Sequence, residues 1–181
     1  MTRMPQLKRE EMNQEQGAVY DEIMGRGGRI GGPYGAYIRI PRFMRLNQEM
    51  GDYLRSNGLP PKLRQLAAIL AIRFWGGRYA WAANARNAVG EGLNQSIIDA
   101  INERRRPEFA DDDERAIYEV VTELLETKGL SDETYHAAER RFGEEHLVNI
   151  IVTAGFFSMV CMTTNSVQVS PPDGAEQVLI V

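Results

Sequence analysis

The fold is decided by a stretch in the first half of the chain, residues 63–86, which reads LRQLAAILAIRFWGGRYAWAANAR. Its first part carries apolar residues at the three- and four-residue spacing of one helix face, namely Leu63, Leu66, Ala67, Leu70 and Phe74. Gly76 and Gly77 interrupt this pattern, and an alanine-rich segment over residues 78–89 resumes a helical composition. The stretch therefore predicts two helices separated by a glycine break.

Turn and cap signals divide the rest of the chain into further helices. Helical patterns are predicted over residues 5–24, 41–57, 95–104, around 117–125, after Ser131, and from 144 through the apolar run 147–169. Asn94 and Ser131 are expected to cap two of these helices. No strand-like alternation recurs at useful length, so the predicted fold class is all-α, with one compact domain over residues 1–181.

Composition narrows the classes of function. The 181 residues include 21 Lys and Arg against 25 Asp and Glu, a net charge of −4, which argues against a nucleic-acid partner because such proteins present a basic face. The single cysteine, Cys161, excludes an internal disulfide, a Cys-x-x-Cys pair and a cysteine-rich zinc site. His136 and His146 fit no close metal-ligand spacing, so no metal site is expected. The N-terminal residues show no apolar core of signal-peptide length, and we expect a cytoplasmic protein.

One segment, residues 147–169, is apolar enough to compare with a membrane span. A spanning helix needs about 20 mostly apolar residues. This run is interrupted by polar side chains, namely Asn149, Thr153, Ser158, Thr163, Thr164, Asn165 and Gln168. We therefore predict a buried core helix and no membrane partner.

The residues 63–86 resemble the core of the carboxymuconolactone decarboxylase and alkylhydroperoxidase D-like family. The similarity continues through residues 91–101 and 107–115, and it spans about residues 32–174. It implies an all-α fold of the alkylhydroperoxidase D-like type, with an N-terminal helix and Gly-rich loop over residues 1–31 and a tail over 175–181. It also implies a homo-oligomer, with a trimer or hexamer favoured, in which the Gly25–Gly35 loop and the tail are expected to make contacts.

The resemblance divides into two branches. Peroxidase members carry a Cys-x-x-Cys pair with a nearby His and Glu, and the corresponding positions here are Gln65, Arg78, Trp81 and Asn84. Thiol peroxidase activity is therefore disfavoured, because it needs a thiolate and a resolving thiol. The decarboxylase branch resembles this sequence more closely, at Tyr79 and Trp81. Its usual acid and histidine are replaced by Ala80 and Asn84.

The resemblance thus implies a cofactor-free carbon–carbon lyase acting on a small, anionic substrate. The substrate would be a carboxylated lactone or another ring compound from aromatic catabolism. The expected site residues are Tyr79 as proton donor, Asn84 as hydrogen-bond partner of an oxyanion, Arg73 or Arg78 as carboxylate ligand, Trp81 as pocket wall and Gln65 as a neutral replacement for an acid. The alternative is a non-catalytic small-molecule-binding or oligomeric protein of the same fold.

Overall fold

The computed structural model describes residues 2–28 and 30–180, and these contain helices but no strand. They form eight α-helices: α1 (Gln14–Gly25), α2 (Tyr34–Tyr37), α3 (Pro41–Ser56), α4 (Pro61–Phe74), α5 (Arg78–Gly90), α6 (Gln95–Asn102), α7 (Asp112–Thr127) and α8 (Asp132–Ser166). The predicted all-α class is confirmed. The side chains of Asn94 and Ser131 accept hydrogen bonds from the backbone N–H groups of Ser96 and Thr134, so both predicted caps are confirmed.

Helix α4 is the centre of the molecule. It packs against α5, α7 and α8, and most of its residues are buried, which is why the sequence there is apolar on nearly every side. Two arginines, Arg64 and Arg73, are the charged exceptions among its buried residues. A smaller apolar cluster joins α1, α2 and α3 through Val19, Ile23, Tyr37, Ile38 and Met44.

The N-terminal segment is less helical than the prediction for residues 5–24. A single 3₁₀ turn forms at Arg9–Glu11, and α1 begins only at Gln14. The physical reason is a capping box: the Asn13 side chain accepts a hydrogen bond from the Gln16 N–H, and the Gln16 side chain accepts one from the Asn13 N–H. This reciprocal pair fixes the start of the helix after the polar residues that precede it.

Helix α8 contains the apolar run. It bends at Gly143, where the backbone adopts φ 76° and ψ 163°, so the predicted break between two helical segments is present. Within the described part of the chain it is the one helix long and apolar enough to cross a membrane by length and composition, with a mean hydropathy of 1.8 over its most apolar window. Half of that window is buried inside the protein, and α8 as a whole packs against α4, α5 and α7.

The C-terminal tail packs on its own chain. Asn102 at the end of α6 donates a hydrogen bond to the Val178 carbonyl (2.9 Å), and its own side-chain oxygen accepts one from the Ile180 N–H (2.9 Å). Leu179 is buried in the main core. Two residues of the predicted contact segments, Arg29 of the Gly-rich loop and Val181 of the tail, lie outside the described residues.

Candidate functional site

A cavity of about 560 Å³ opens where α3, α4, α5 and α8 meet, and we call it the Arg64 cavity. Its polar lining residues are Arg55, Arg64, Gln65, Asn84, Arg86, Asn87 and Glu91. Phe156 and Phe157 of α8 form an aromatic wall on the same cavity. It therefore combines several hydrogen-bonding groups with an apolar surface, as small-molecule sites do.

Arg64 is the most buried charged group in this cavity, with 9% of its surface exposed. Its Nη1 donates long hydrogen bonds to the carbonyl oxygens of Leu54 (3.4 Å) and Arg55 (3.3 Å), at the C-terminal end of α3. No carboxylate of the described residues lies within 4.0 Å of it, and burial lowers the pKa of its guanidinium while the charge of Glu91 partly opposes that shift. The guanidinium thus retains N–H donors for a bound anion.

Gln65 and Asn84 are predicted site residues that the structure brings together in the Arg64 cavity. The Oε1 atom of Gln65 is buried and accepts no hydrogen bond from any described residue. Asn84 donates from Nδ2 to the carbonyl oxygen of Ala80 (2.8 Å) one turn earlier in α5. One Nδ2 hydrogen of Asn84 is therefore used by its own helix, and its remaining hydrogen and its Oδ1 are available to a ligand.

The predicted arginine ligands lie elsewhere. Arg73 lines a separate cavity with Arg104 and Arg105, and Arg78 is exposed at the start of α5. The structure therefore does not bring Arg73 or Arg78 to the cavity that contains Asn84.

Trp81 and Tyr79 also lie outside the lining of the Arg64 cavity. Trp81 is fully buried in the main core, where its Nε1 has no hydrogen-bond partner among the described residues. Tyr79 is half-buried beneath the Gly-rich loop, close to Gly31 and Gly32. A side chain at Gly32, whose φ is +59°, would collide with the tyrosine ring, so this close approach requires glycine. Burial raises the pKa of the Tyr79 phenol, which keeps it protonated at neutral pH.

The remaining candidates for catalysis are poorly placed for it. Cys161 is fully buried, and burial raises the pKa of its thiol to about 12. His136 is exposed, with Nδ1 3.1 Å from an oxygen of Glu139 on the same helix. Across residues 2–28 and 30–180, no group of three or more His, Cys, Asp or Glu side chains is arranged to hold a metal ion.

Arg64 and Glu91, which lie in the cavity with Gln65 and Asn84, were not among the site residues expected from the sequence. A signal for Arg64 was present: it is a charged residue inside a helix that is otherwise apolar on nearly every side. Glu91 carried no comparable signal, because it follows α5 in a turn whose composition indicates only a helix end.

Comparison with known proteins gave structural matches only. No protein-family model matches the chain, and no curated protein does. The crystal structure of an alkylhydroperoxidase AhpD core, an uncharacterized peroxidase-related protein from Ralstonia eutropha JMP134, is similar with a TM-score of 0.76 and 15% identity, over 95% of this chain and 93% of that one.

A second structure, a protein of unknown function from Agrobacterium tumefaciens named as a candidate antioxidant defence protein AhpD, has a TM-score of 0.66 and 19% identity. The match covers 73% of this chain and 92% of that one. The chain therefore has the fold of the alkylhydroperoxidase D-like family.

Proposed function

We propose that this protein binds a small carboxylated compound in the Arg64 cavity. The observation that carries the proposal is the buried guanidinium of Arg64, which has no carboxylate of the described residues within 4.0 Å although it lines an open cavity. Burying a charge without a partner is costly, and a ligand carboxylate would compensate it with two parallel N–H···O hydrogen bonds.

The neighbouring groups narrow the ligand further. Gln65 also lines the cavity, and its side-chain amide favours a ligand with a polar group, such as a hydroxyl, near its carboxylate. Phe156 and Phe157 favour a flat apolar body such as a ring. These features agree with the substrate class that the family resemblance implies, a carboxylated lactone or an aromatic-derived ring compound.

The first candidate reaction is loss of the carboxyl group, which would make the protein a cofactor-independent carbon–carbon lyase. The bond from ring to carboxylate breaks, carbon dioxide leaves, and the electron pair remains on the ring as an enolate-type anion. The free Nδ2 hydrogen of Asn84 would stabilise the developing oxyanion. A water molecule in the cavity would then return a proton to carbon, which leaves hydroxide to be neutralised by solvent.

The second candidate is binding without turnover. It is supported by the neutral side chains of Gln65, Ala80 and Asn84 at positions where the family's decarboxylase branch has titratable groups. Thiol peroxidation is not proposed, because the chain has a single cysteine and that thiol is buried. We place either function in the cytoplasm and in a homo-oligomer.

The experiment is a calorimetric titration with carboxylated lactones and hydroxybenzoates, followed by a mass-spectrometric assay for the decarboxylated product. Arg64→Met should weaken binding at least tenfold, whereas the exposed control Arg115→Met should leave it unchanged. Equal affinity in Arg64→Met and in the parent would overturn the binding proposal. If the ligand is recovered unchanged, the second candidate replaces the first.

A further inference from the structure

A second cavity, of about 310 Å³, lies on the opposite side of α4, between that helix, the end of α6 and α7. We call it the Arg73 cavity. It is separate from the Arg64 cavity, since the two share no lining residue. Arg73 was expected at the substrate site near Asn84, and its position in this second cavity leaves a buried arginine without an assigned role.

Arg73 is buried, with 8% of its surface exposed, and it points an uncompensated charge at this cavity. Its Nε is sealed from solvent and makes no hydrogen bond to a described residue. No carboxylate of those residues lies within 4.0 Å of its guanidinium. Burial lowers the pKa of Arg73, and the positive charge of Arg104 lowers it further.

Arg104 supplies a second positive charge, and its backbone adopts a left-handed conformation that is unusual for arginine. It follows the C-terminal end of α6 in the left-handed conformation, with φ 59°, and the Arg104 and Arg105 N–H groups donate to the carbonyls of Ile101 (3.0 Å) and Ala100 (2.8 Å). Glycine or asparagine is favoured in this conformation, so the helix end by itself does not call for arginine. The macrodipole favours a cation here, but either neighbouring arginine would satisfy that preference.

Arg104 differs from the two arginines that follow it in having no ion-pair partner among the described residues. Arg105 pairs with Glu103, and Arg106 pairs with Glu119. Arg104 and Arg73 have no such partner among residues 2–28 and 30–180. Glu126 lies in the same lining but within 4.0 Å of neither guanidinium. Two like charges are therefore held at one cavity, and an anion between them would relieve both their repulsion and the burial cost of Arg73.

Besides Arg73, Arg104 and Glu126, the lining has two polar residues, Thr122 and Arg105, and Arg105 is already paired with Glu103. Its apolar surface comes from Leu70, Phe74, Ile101, Leu125 and the ring of Tyr118, and the cavity volume is at the lower end of the range for small-molecule sites. We propose that the Arg73 cavity is a second ligand site, which binds a small anion with an apolar body, its anionic group between Arg73 and Arg104. This site does not depend on what the Arg64 cavity binds.

The test is isothermal titration calorimetry with benzoate on the Arg64→Met variant, in which the Arg64 cavity no longer competes for benzoate. Benzamide, a neutral molecule of the same shape, is the ligand control. Arg104→Asn removes one charge and keeps a residue that tolerates the left-handed conformation, so this variant is expected to fold. Arg73→Met removes the other charge, and Arg115→Gln is the charge-matched control.

Benzoate should bind with a one-site isotherm and at least tenfold more tightly than benzamide. Arg104→Asn and Arg73→Met should each weaken benzoate at least fivefold, and Arg115→Gln should not change it. The proposal is overturned if no saturable binding is found, if benzamide binds as tightly as benzoate, or if Arg104→Asn binds benzoate as its parent does.

Discussion

The contact between Gly77 and Cys161 gives the most sharply defined prediction. Gly77 precedes α5, and a Cβ atom built on it would overlap the Cys161 sulfur of α8 and lie 3.2 Å from its Cβ. The backbone at Gly77 has φ −75°, which any residue adopts, so a substitution there is opposed by packing alone. Gly77→Ala should lower the free energy of unfolding by about 1–3 kcal/mol, the usual cost of overpacking a core.

The assay is chemical and thermal unfolding of a double-mutant cycle. In a chain of this length, Tm falls by about 2–4 °C for each kcal/mol. Cys161→Ala alone should cost about 1 kcal/mol because it deletes a buried sulfur. Added to Gly77→Ala it should instead restore stability, with a coupling energy of about 1–2 kcal/mol. Gly155→Ala, where an added Cβ meets nothing within 4 Å, should raise stability by about 0.5–1 kcal/mol. Strict additivity of the two substitutions would refute the packing argument.

Three further predictions concern single side chains. Asn84→Ala should leave Tm nearly unchanged, because the better helix propensity of alanine, about 0.6 kcal/mol, offsets the lost hydrogen bond to the Ala80 carbonyl. The same variant should weaken carboxylate binding several-fold in calorimetry. A lowered Tm with unaltered affinity would instead make Asn84 a packing residue. Cys161 should resist a thiol-specific maleimide until the protein unfolds, since its pKa is about 12 and it is buried, and labelling of the native protein as fast as free cysteine would contradict this. Burial raises the folded-state pKa of Tyr79 above its ordinary value of about 10, so the free energy of unfolding should fall as pH rises through that folded pKa. In denaturation experiments between pH 9 and 11, Tyr79→Phe should lose less of its free energy of unfolding than the parent does. Equal losses in the two proteins would exclude the effect.

The helices of the main core were predictable because their apolar spacing and their caps agree. The run from Leu63 to Phe74, the glycine break and the cap at Asn94 each specify the same local structure that packing then stabilises. The start of α1 was predicted less well. The polar composition of residues 5–12 is compatible with a solvent-exposed helix, and only the capping box at Asn13 determines that α1 begins later, at Gln14.

The candidate site was predictable only in part, for a geometric reason. Gln65 and Asn84 meet in one cavity, as the family resemblance implied. Arg73 follows Arg64 by nine residues, about two and a half turns of helix, so the two arginines face opposite sides of α4. Tyr79 precedes Asn84 by five residues, about 1.4 turns, and therefore points away from it. Resemblance along the chain identified the helices, but the direction of each side chain decided which residues share a cavity.

The most direct test of the central claim is a crystal structure of the protein with 4-bromobenzoate, because anomalous scattering from bromine locates the ring independently of the carboxylate. We expect a ligand in the Arg64 cavity, with its carboxylate within hydrogen-bond distance of the Arg64 guanidinium and its ring beside Phe156 and Phe157. An Arg64 cavity that remains without ligand at saturating concentration, wherever else the compound binds, would contradict it.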